Sequence, residues 1–262
     1  MKDFPIFPIC EMFTSIQGEG SRAGYPAIFI RTSGCNLRCI FKNTICDTAY
    51  SSFNPEKGSI LPIEAVKYCV QHREIEDIVI TGGEPMMFRY GVIEMMNEIV
   101  RQRDGWATTF TIETNGTLPV VKDSDLEGDC KLLISCSPKL RTSIPALGDN
   151  TYLSDAEINL YNSRRLNWPV LHQMIANNDS IQFKFVYSDD ESVEEIKDIL
   201  RNINNGIEDD AYPRYDVYLM PEGVNEETLQ KTREGAVKAC IENNWKYTDR
   251  LHIIIWGTKR GV

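Results

Sequence analysis

The sequence predicts an α/β protein on a mostly parallel sheet, of the (β/α)-barrel kind. Three observations predict it. Short β-rich runs alternate with helical patterns along the chain. Most of those runs are near-continuously apolar, as strands covered on both faces are. Polar motifs follow four of the runs, which would gather them at one mouth of a barrel. The 262 residues suit one domain of this type, covering 1–262.

The β-rich runs are Ala27–Thr32, Asp77–Gly82, Thr109–Asn115, Lys131–Ser137, Ile181–Ser188, Tyr215–Pro221 and Leu251–Trp256. Four helical patterns lie between them. Ile63, Val66 and Val70 repeat at i, i+3 and i+7 behind Pro62, which suits a first helical turn. Val92, Ile93, Met96 and Val100 mark a second helix. Val193, Ile196, Ile199, Leu200 and Ile203 mark a third. Leu229, Ala236, Val237, Cys240 and Ile241 mark a fourth. Residues 140–180 are polar and break the rhythm. They read as an insertion or lid within the domain.

Composition narrows the function classes. Hydrophobic residues make up 42% and charged residues 25%, an ordinary globular balance that excludes a disordered tail or a collagen-like repeat. The formal net charge of -10 argues against direct nucleic-acid binding. The excess is local, because 13 acidic and 3 basic residues fall between Asp189 and Glu227. That stretch reads as a solvated helix face and loop. No run approaches the roughly 20 apolar residues of a membrane span. Three of the eight cysteines crowd into twelve residues, unlike a secreted disulfide framework. The expected setting is a reducing cytoplasm, away from membranes.

The crowded cysteines are Cys35, Cys39 and Cys46, spaced C-x3-C-x6-C just after the first apolar run. Thiolates at such spacing can reach one metal centre from one loop. A [4Fe–4S] cluster held by three cysteines leaves one iron open for a ligand. A structural zinc would want a fourth Cys or His nearby. Spacing alone leaves cluster, zinc and unligated thiols open.

The strand-end motifs are individually weak. Thr81-Gly82-Gly83-Glu84-Pro85 could be a tight turn, or a loop whose bare backbone approaches a ligand while the carboxylate grips an ammonium. Glu113-Thr114-Asn115-Gly116 offers a carboxylate and an amide to ribose hydroxyls. Ser137-Pro138-Lys139 and Met220-Pro221-Glu222-Gly223 end the fourth and sixth runs. Near the start stands Glu11-Met12-Phe13-Thr14-Ser15-Ile16-Gln17-Gly18-Glu19-Gly20. At the end stand Arg250-Leu251-His252 and Trp256-Gly257-Thr258-Lys259-Arg260-Gly261-Val262. A Gly-rich turn and a basic tail are the plain alternatives for these two.

Gly34-Cys35-Asn36-Leu37-Arg38-Cys39 and Cys46-Asp47-Thr48 resemble the cluster loop of the radical S-adenosylmethionine (SAM) superfamily. The usual spacing there is C-x3-C-x2-C, so this loop carries four extra residues. The Gly-Gly-Glu-Pro resembles that superfamily's SAM amino-group motif. With the Ser15–Gly20 stretch and the terminal Lys-Arg-Gly-Val, the chain resembles the 7-carboxy-7-deazaguanine synthase family.

That resemblance implies an incomplete (β/α) barrel forming a homodimer. It implies conversion of 6-carboxy-5,6,7,8-tetrahydropterin to 7-carboxy-7-deazaguanine and ammonia, in queuosine-type deazapurine synthesis. A [4Fe–4S] cluster, SAM and Mg2+ are the implied cofactors, and a flavodoxin or ferredoxin the implied electron donor. Cys35, Cys39 and Cys46 would hold the cluster, and Thr48 the magnesium. Ile45, Cys46, Asp47, Gly83, Ser137, Pro138, Lys139 and Met220 to Gly223 would line SAM. Glu84, Glu113 and Asn115 join them by superfamily practice. Ile16, Gln17, Gly18, Arg31, Thr81 and Val262 would contact the pterin. His252 is expected in the core rather than on the substrate, and Met86 and Met87 as core filler. A glycyl-radical activase would share the cysteine loop and Gly-Gly-Glu-Pro without the Ile16–Gly20 stretch or the Lys-Arg-Gly-Val end. A non-catalytic metal-binding module would have no reason to place polar motifs on four strand ends.

Overall fold

The computed structural model describes residues 4–41, 44–145, 153–206 and 215–262. Strand β1 (Ile9–Ile16) runs antiparallel to β2 (Pro26–Thr32). Two short strands, β3 (Ile40–Phe41) and β4 (Thr44–Ile45), pair inside the cysteine loop, and the one-turn helix α1 (Ala49–Ser52) follows. Helix α2 (Pro62–Gln71) leads to β5 (Asp77–Gly82), and α3 (Arg89–Gln102) to β6 (Thr109–Thr114). Strand β7 (Lys131–Cys136) precedes α4 (Asp155–Arg164) and α5 (Trp168–Asn177). Then come β8 (Ile181–Tyr187), α6 (Asp190–Asn205), β9 (Asp216–Pro221), α7 (Glu226–Asn243), β10 (Lys246–Tyr247) and α8 (Leu251–Trp256). The main sheet has the order β1-β2-β5-β6-β7-β8-β9-β10, parallel from β2 onward. Its two edges do not pair among the described residues. The fold is therefore an open, incomplete barrel of mostly parallel strands, as expected.

Side-chain alternation along each strand divides the two faces. Ile28, Ile30, Ile78, Ile80, Phe110, Ile112, Ile134, Phe183 and Phe185 are completely buried in one core cluster with α2, α3, α5 and α6. The alternate positions turn inward. There Ala27, Phe29 and Val79 pack with Phe13. Further toward the strand ends the inner face becomes polar, with Arg31, Thr81, Glu113, Ser135 and Lys184. One period-2 pattern thus builds the core with one face and a polar wall with the other.

Two expectations are corrected, and the stretch 140–180 gains defined elements. Leu251–Trp256 is a helix, not a strand, and the short β10 takes the sheet edge instead. The β-branched run misleads because only Ile253 is buried, while Ile254 and Ile255 are exposed. One turn of helix buries one face and needs no ladder partner. The front motif, expected as a substrate-contacting stretch without an assigned element, is preceded by a full edge strand, β1, that is not among the predicted β-rich runs. Residues 140–180 hold two capped helices. Ser154 caps α4 and Asn167 caps α5, each accepting a backbone N–H. Residues 146–152 of that stretch lie outside the described residues.

Candidate active site

The inner face of the sheet, the cysteine loop and the C-terminal tail enclose a cavity of about 420 Å3. Cys35, Cys39 and Cys46 all line it. Each sulfur has a defined neighbour. Leu37 N donates to Cys35 Sγ at 3.5 Å, and Tyr161 Oη of α4 donates to Cys39 Sγ at 3.2 Å. Thr48 Oγ1 lies 3.3 Å from Cys46 Sγ. Leu37, Cys39 and Tyr161 form an apolar cluster there, with Phe41 and Ile144 packed on it. Burial pushes the Cys35 thiol up to about 12 and the Cys46 thiol to about 11. A thiolate at such a site needs a strong positive partner, which a metal centre supplies. Among the described residues no three Cys, His, Asp or Glu side chains converge on one point. Three thiols spread around one cavity suit a polynuclear cluster better than a single tetrahedral ion.

The Gly-Gly turn serves packing first. Gly82 has φ +143°, where side chains are rare. A Cβ on Gly83 would lie 2.2 Å from Gly34 O and 2.5 Å from Ser51 O. Gly34 N in turn donates to Ser51 O at 2.8 Å, and Glu84 N to Gly34 O at 2.9 Å. Bare backbone here lets the Gly-Gly loop, the cysteine loop and α1 interlock.

Glu84 departs from expectation. It is completely buried and does not line the cavity. Its carboxyl accepts from Thr114 Oγ1 at 2.8 Å, Asn115 N at 2.7 Å and Met86 N at 3.0 Å. These three bonds fasten the end of β5 to the end of β6. Pro138 is also absent from the lining. Every other site residue expected from the sequence lines the cavity, with Met220 to Gly223, Ser137 and Lys139 on one side. Ile16, Gln17, Gly18, Arg31, Thr81 and Val262 line it too. His252 joins them rather than the core. It sits so close to Gly18 that a Cβ there would lie 2.5 Å from His252 Nδ1. Met86 is core filler as expected, whereas Met87 is 44% exposed.

A buried charge network forms the floor. Lys184 Nζ donates to Glu19 at 2.8 Å and to Glu113 at 3.3 Å. Gln17 Nε2 donates to Glu113 at 3.4 Å. Burial opposes ionisation of Glu19, but Lys184, Arg250 and His252 outweigh it and hold its carboxyl far below the ordinary value. The ionised form therefore stabilises the fold above about pH 4.5, and that stability fades as pH falls toward the folded value. Glu19→Gln should cost about 3 kcal/mol at neutral pH, because it takes one of two carboxylates from both Lys184 and Arg250 and leaves only Glu113 and Asp47 to balance them. Urea unfolding from pH 7 to pH 3 should give a shallower decline for Glu19→Gln than for the parent chain. Equal slopes would show that the Glu19 charge contributes nothing.

The tail closes the opposite side. Arg260 Nε donates to Glu11 at 2.9 Å, and the Arg260 guanidinium lies 3.4 Å above the Tyr50 ring. Glu11 also accepts from Arg31 at 2.8 Å and from Tyr50 Oη at 3.0 Å. One carboxylate on β1 thus holds both Arg31 and the tail.

Residues 16–141 match a family model described as a 4Fe-4S single cluster domain. The 7-carboxy-7-deazaguanine synthase of Rhodopirellula baltica is 36% identical to this chain, across 97% of this chain and 88% of the relative. That of Halobacterium salinarum is 33% identical, across 97% and 92%. That of Pyrobaculum aerophilum is 30% identical, across the full length of both. The chain belongs to the 7-carboxy-7-deazaguanine synthase family. The crystal structure of QueE from Escherichia coli shares the fold, with a TM-score of 0.58 at 20% identity over 93% of each chain.

For a member of the 7-carboxy-7-deazaguanine synthase family, several lining residues were not singled out by sequence reading. They are Tyr50 and Lys184, with Glu11, Glu19 and Arg250 quoted in motifs but given no role. Lys184 carried a signal, as a lone lysine inside the apolar strand Ile181–Tyr187. Glu11 and Tyr50 carried none, since their partners Arg31 and Arg260 lie 20 and 249 residues from Glu11.

Proposed function

We propose that this chain converts 6-carboxy-5,6,7,8-tetrahydropterin to 7-carboxy-7-deazaguanine and ammonia in queuosine-type deazapurine synthesis. It is a radical SAM enzyme with an iron–sulfur cluster. The observation that carries the reading is convergence. In a chain related over its whole length to named synthases, the front motif, cysteine loop and tail line one cavity. The product is the substrate less one ammonia, so the ring contraction is redox-neutral and the enzyme is a carbon–nitrogen lyase. When bound, cluster and SAM supply the one-electron chemistry that removes a hydrogen from the pterin. Neither a glycyl-radical activase nor a non-catalytic module accounts for the full-length relationship.

The chain's own residues would bind and orient. Cys35, Cys39 and Cys46 would hold the cluster inside the apolar shell of Leu37 and Tyr161. Ile45, Asp47, Gly83, Asn115, Ser137, Lys139 and Met220 to Gly223 would bound the SAM side. Glu84 and Pro138 would support that side from behind. Helix α4, within the stretch 140–180, would cover the cluster through the Tyr161 bond to Cys39. The Thr48 hydroxyl does not cap α1, which leaves a hard oxygen suited to Mg2+. Gln17, Gly18, Thr81 and Val262 would frame the pterin, with Glu113 and Lys184 beneath it.

Arg31 would bind the pterin carboxylate with its planar fork. It is held through Nε by Glu11, so its position is set before substrate arrives. Arg31→Ala should raise KM for the pterin about 10- to 100-fold, the worth of one charged hydrogen bond. Iron content should not change. Steady-state kinetics with an unchanged KM would remove Arg31 from the substrate site.

A homodimer is supported by the exposed aliphatic pair Val237 and Ile241, one turn apart on α7. A flavodoxin or ferredoxin would supply electrons. Cytoplasmic placement is supported by eight free cysteines, and no described helix is long and apolar enough to cross a membrane.

The deciding experiment is an anaerobic assay of the reconstituted enzyme with SAM, Mg2+, a reductant and 6-carboxytetrahydropterin, read by mass spectrometry. A product at the mass of 7-carboxy-7-deazaguanine is expected. Cleavage of SAM to 5′-deoxyadenosine without that product would overturn the substrate assignment. No reaction despite an intact cluster would overturn the enzyme reading.

A further inference from the structure

The segment from Thr248 to His252 reaches the front motif, the end of the cysteine loop and the loop after β9. Thr248 Oγ1 accepts from Gly20 N at 2.7 Å, and Leu251 N donates to Gly18 O at 3.1 Å. Arg250 lies between them, with its side chain 10% exposed. Its three nitrogens go three ways. Nη1 donates to Gly223 O at 2.5 Å, on the loop after β9. Nε pairs with Glu19 at 3.3 Å, beside the front motif. Nη2 pairs with Asp47, directly after the third cysteine.

These partners lie 27, 231 and 203 residues away in sequence. Two of them belong to the SAM side of the cavity, and Glu19 to the pterin side. Asp47 is the only one on the long cysteine loop, and it opens onto the cavity with its side chain 37% exposed. Burial works against the Asp47 charge, and the Arg250 guanidinium outweighs it, holding that carboxyl low.

We propose that Arg250 is a positioning residue that ties the cysteine loop to the front motif, so that one guanidinium sets the SAM side and the pterin side of the cavity relative to each other. The proposal rests on the function assigned above. It extends that reading to a residue that touches neither ligand in the argument. Arginine suits the task because a planar fork reaches three acceptors in fixed directions, whereas lysine offers one compact charge. The consequence is linkage. A ligand that orders one side orders the other, and each tightens its partner by the same factor.

The test uses reconstituted holoenzyme with an oxidised cluster and no reductant, so that no turnover occurs. SAM affinity is measured by calorimetry with and without 6-carboxytetrahydropterin. The parent chain should bind SAM at least about 5-fold more tightly with the pterin present, the lower end of measured couplings. Arg250→Lys keeps the charge and should lose that coupling, with iron content and SAM affinity alone within about 2-fold of the parent. Asp47→Asn should lose it too, and the double variant should lose no more than either single one, as members of one network do. Coupling retained in Arg250→Lys, or losses that add in the double variant, would overturn the proposal. A parent chain that binds SAM but not the pterin would instead overturn the substrate assignment. A loss of iron in Arg250→Lys would make the residue a plain structural support and overturn its positioning role.

Discussion

Cys46→Ala should abolish turnover and cluster assembly while leaving the fold in place. The sulfur contributes little to folding. Its residue is half-buried on a loop, and its backbone N–H still donates to Cys39 O at 3.1 Å. What is lost is the third thiolate at the cavity wall, and two thiolates cannot hold the cluster assigned here. Activity should fall by more than about 10⁶-fold, the lower end of enzymatic acceleration. Iron content and visible absorbance after anaerobic reconstitution provide the check. Cys130→Ala, at a half-buried thiol outside the cavity lining, serves as the comparison and should keep both. A brown, active Cys46→Ala chain would remove Cys46 from the ligand set.

Gly83→Ala should also be damaging, to a smaller extent and for a different reason. The added methyl meets backbone rather than flexible side chains, at 2.2 Å and 2.5 Å from two carbonyl oxygens. Neither carbonyl can rotate away, because Gly34 precedes Cys35 in the cysteine loop and Ser51 lies in α1. Overpacking of this kind costs about 1–3 kcal/mol. The relief is a shift of the cysteine loop on the order of 1 Å, which costs about 100-fold in rate at a site of oriented reactants. The thermal midpoint and kcat should fall together, with iron still bound. Gly105→Ala is the control. Unlike Gly83 it has a positive φ, of +76°, so alanine there strains the backbone locally, but nothing lies within 4 Å of its Cβ and it is outside the cavity lining, so activity should hold. Full activity in Gly83→Ala would mean that the three loops do not interlock as described.

Some of the architecture was legible because local chemistry and tertiary burial agree. Asp77–Gly82 is a strand with the bounds that its apolar run predicts. Helices α2, α3, α6 and α7 all cover the predicted patterns; α2, α3 and α6 bury an aliphatic face, whereas on α7 Leu229, Ala236 and Cys240 are buried and Val237 and Ile241 are exposed. The site was legible where residues cluster in sequence, as in the cysteine loop and the strand-end motifs. It was illegible where one side chain answers another across the chain. Glu84 looked like a ligand because it follows two glycines. Only the approach of β6 shows that Thr114 and Asn115 donate to its carboxyl.

By itself the sequence determined the alternation of strand and helix, the three thiols on one loop and the kinship with 7-carboxy-7-deazaguanine synthases. These depend on local periodicity and on residues within a few positions of each other. Tertiary structure alone decided that Leu251–Trp256 is helical, that the Glu84 carboxyl joins β5 to β6, and that Arg250, Lys184 and Glu11 join the cavity. The physical reason is that a buried charge is settled by its partners. Those partners come from strands and loops up to 249 residues apart, brought together only when the sheet curls around the cavity.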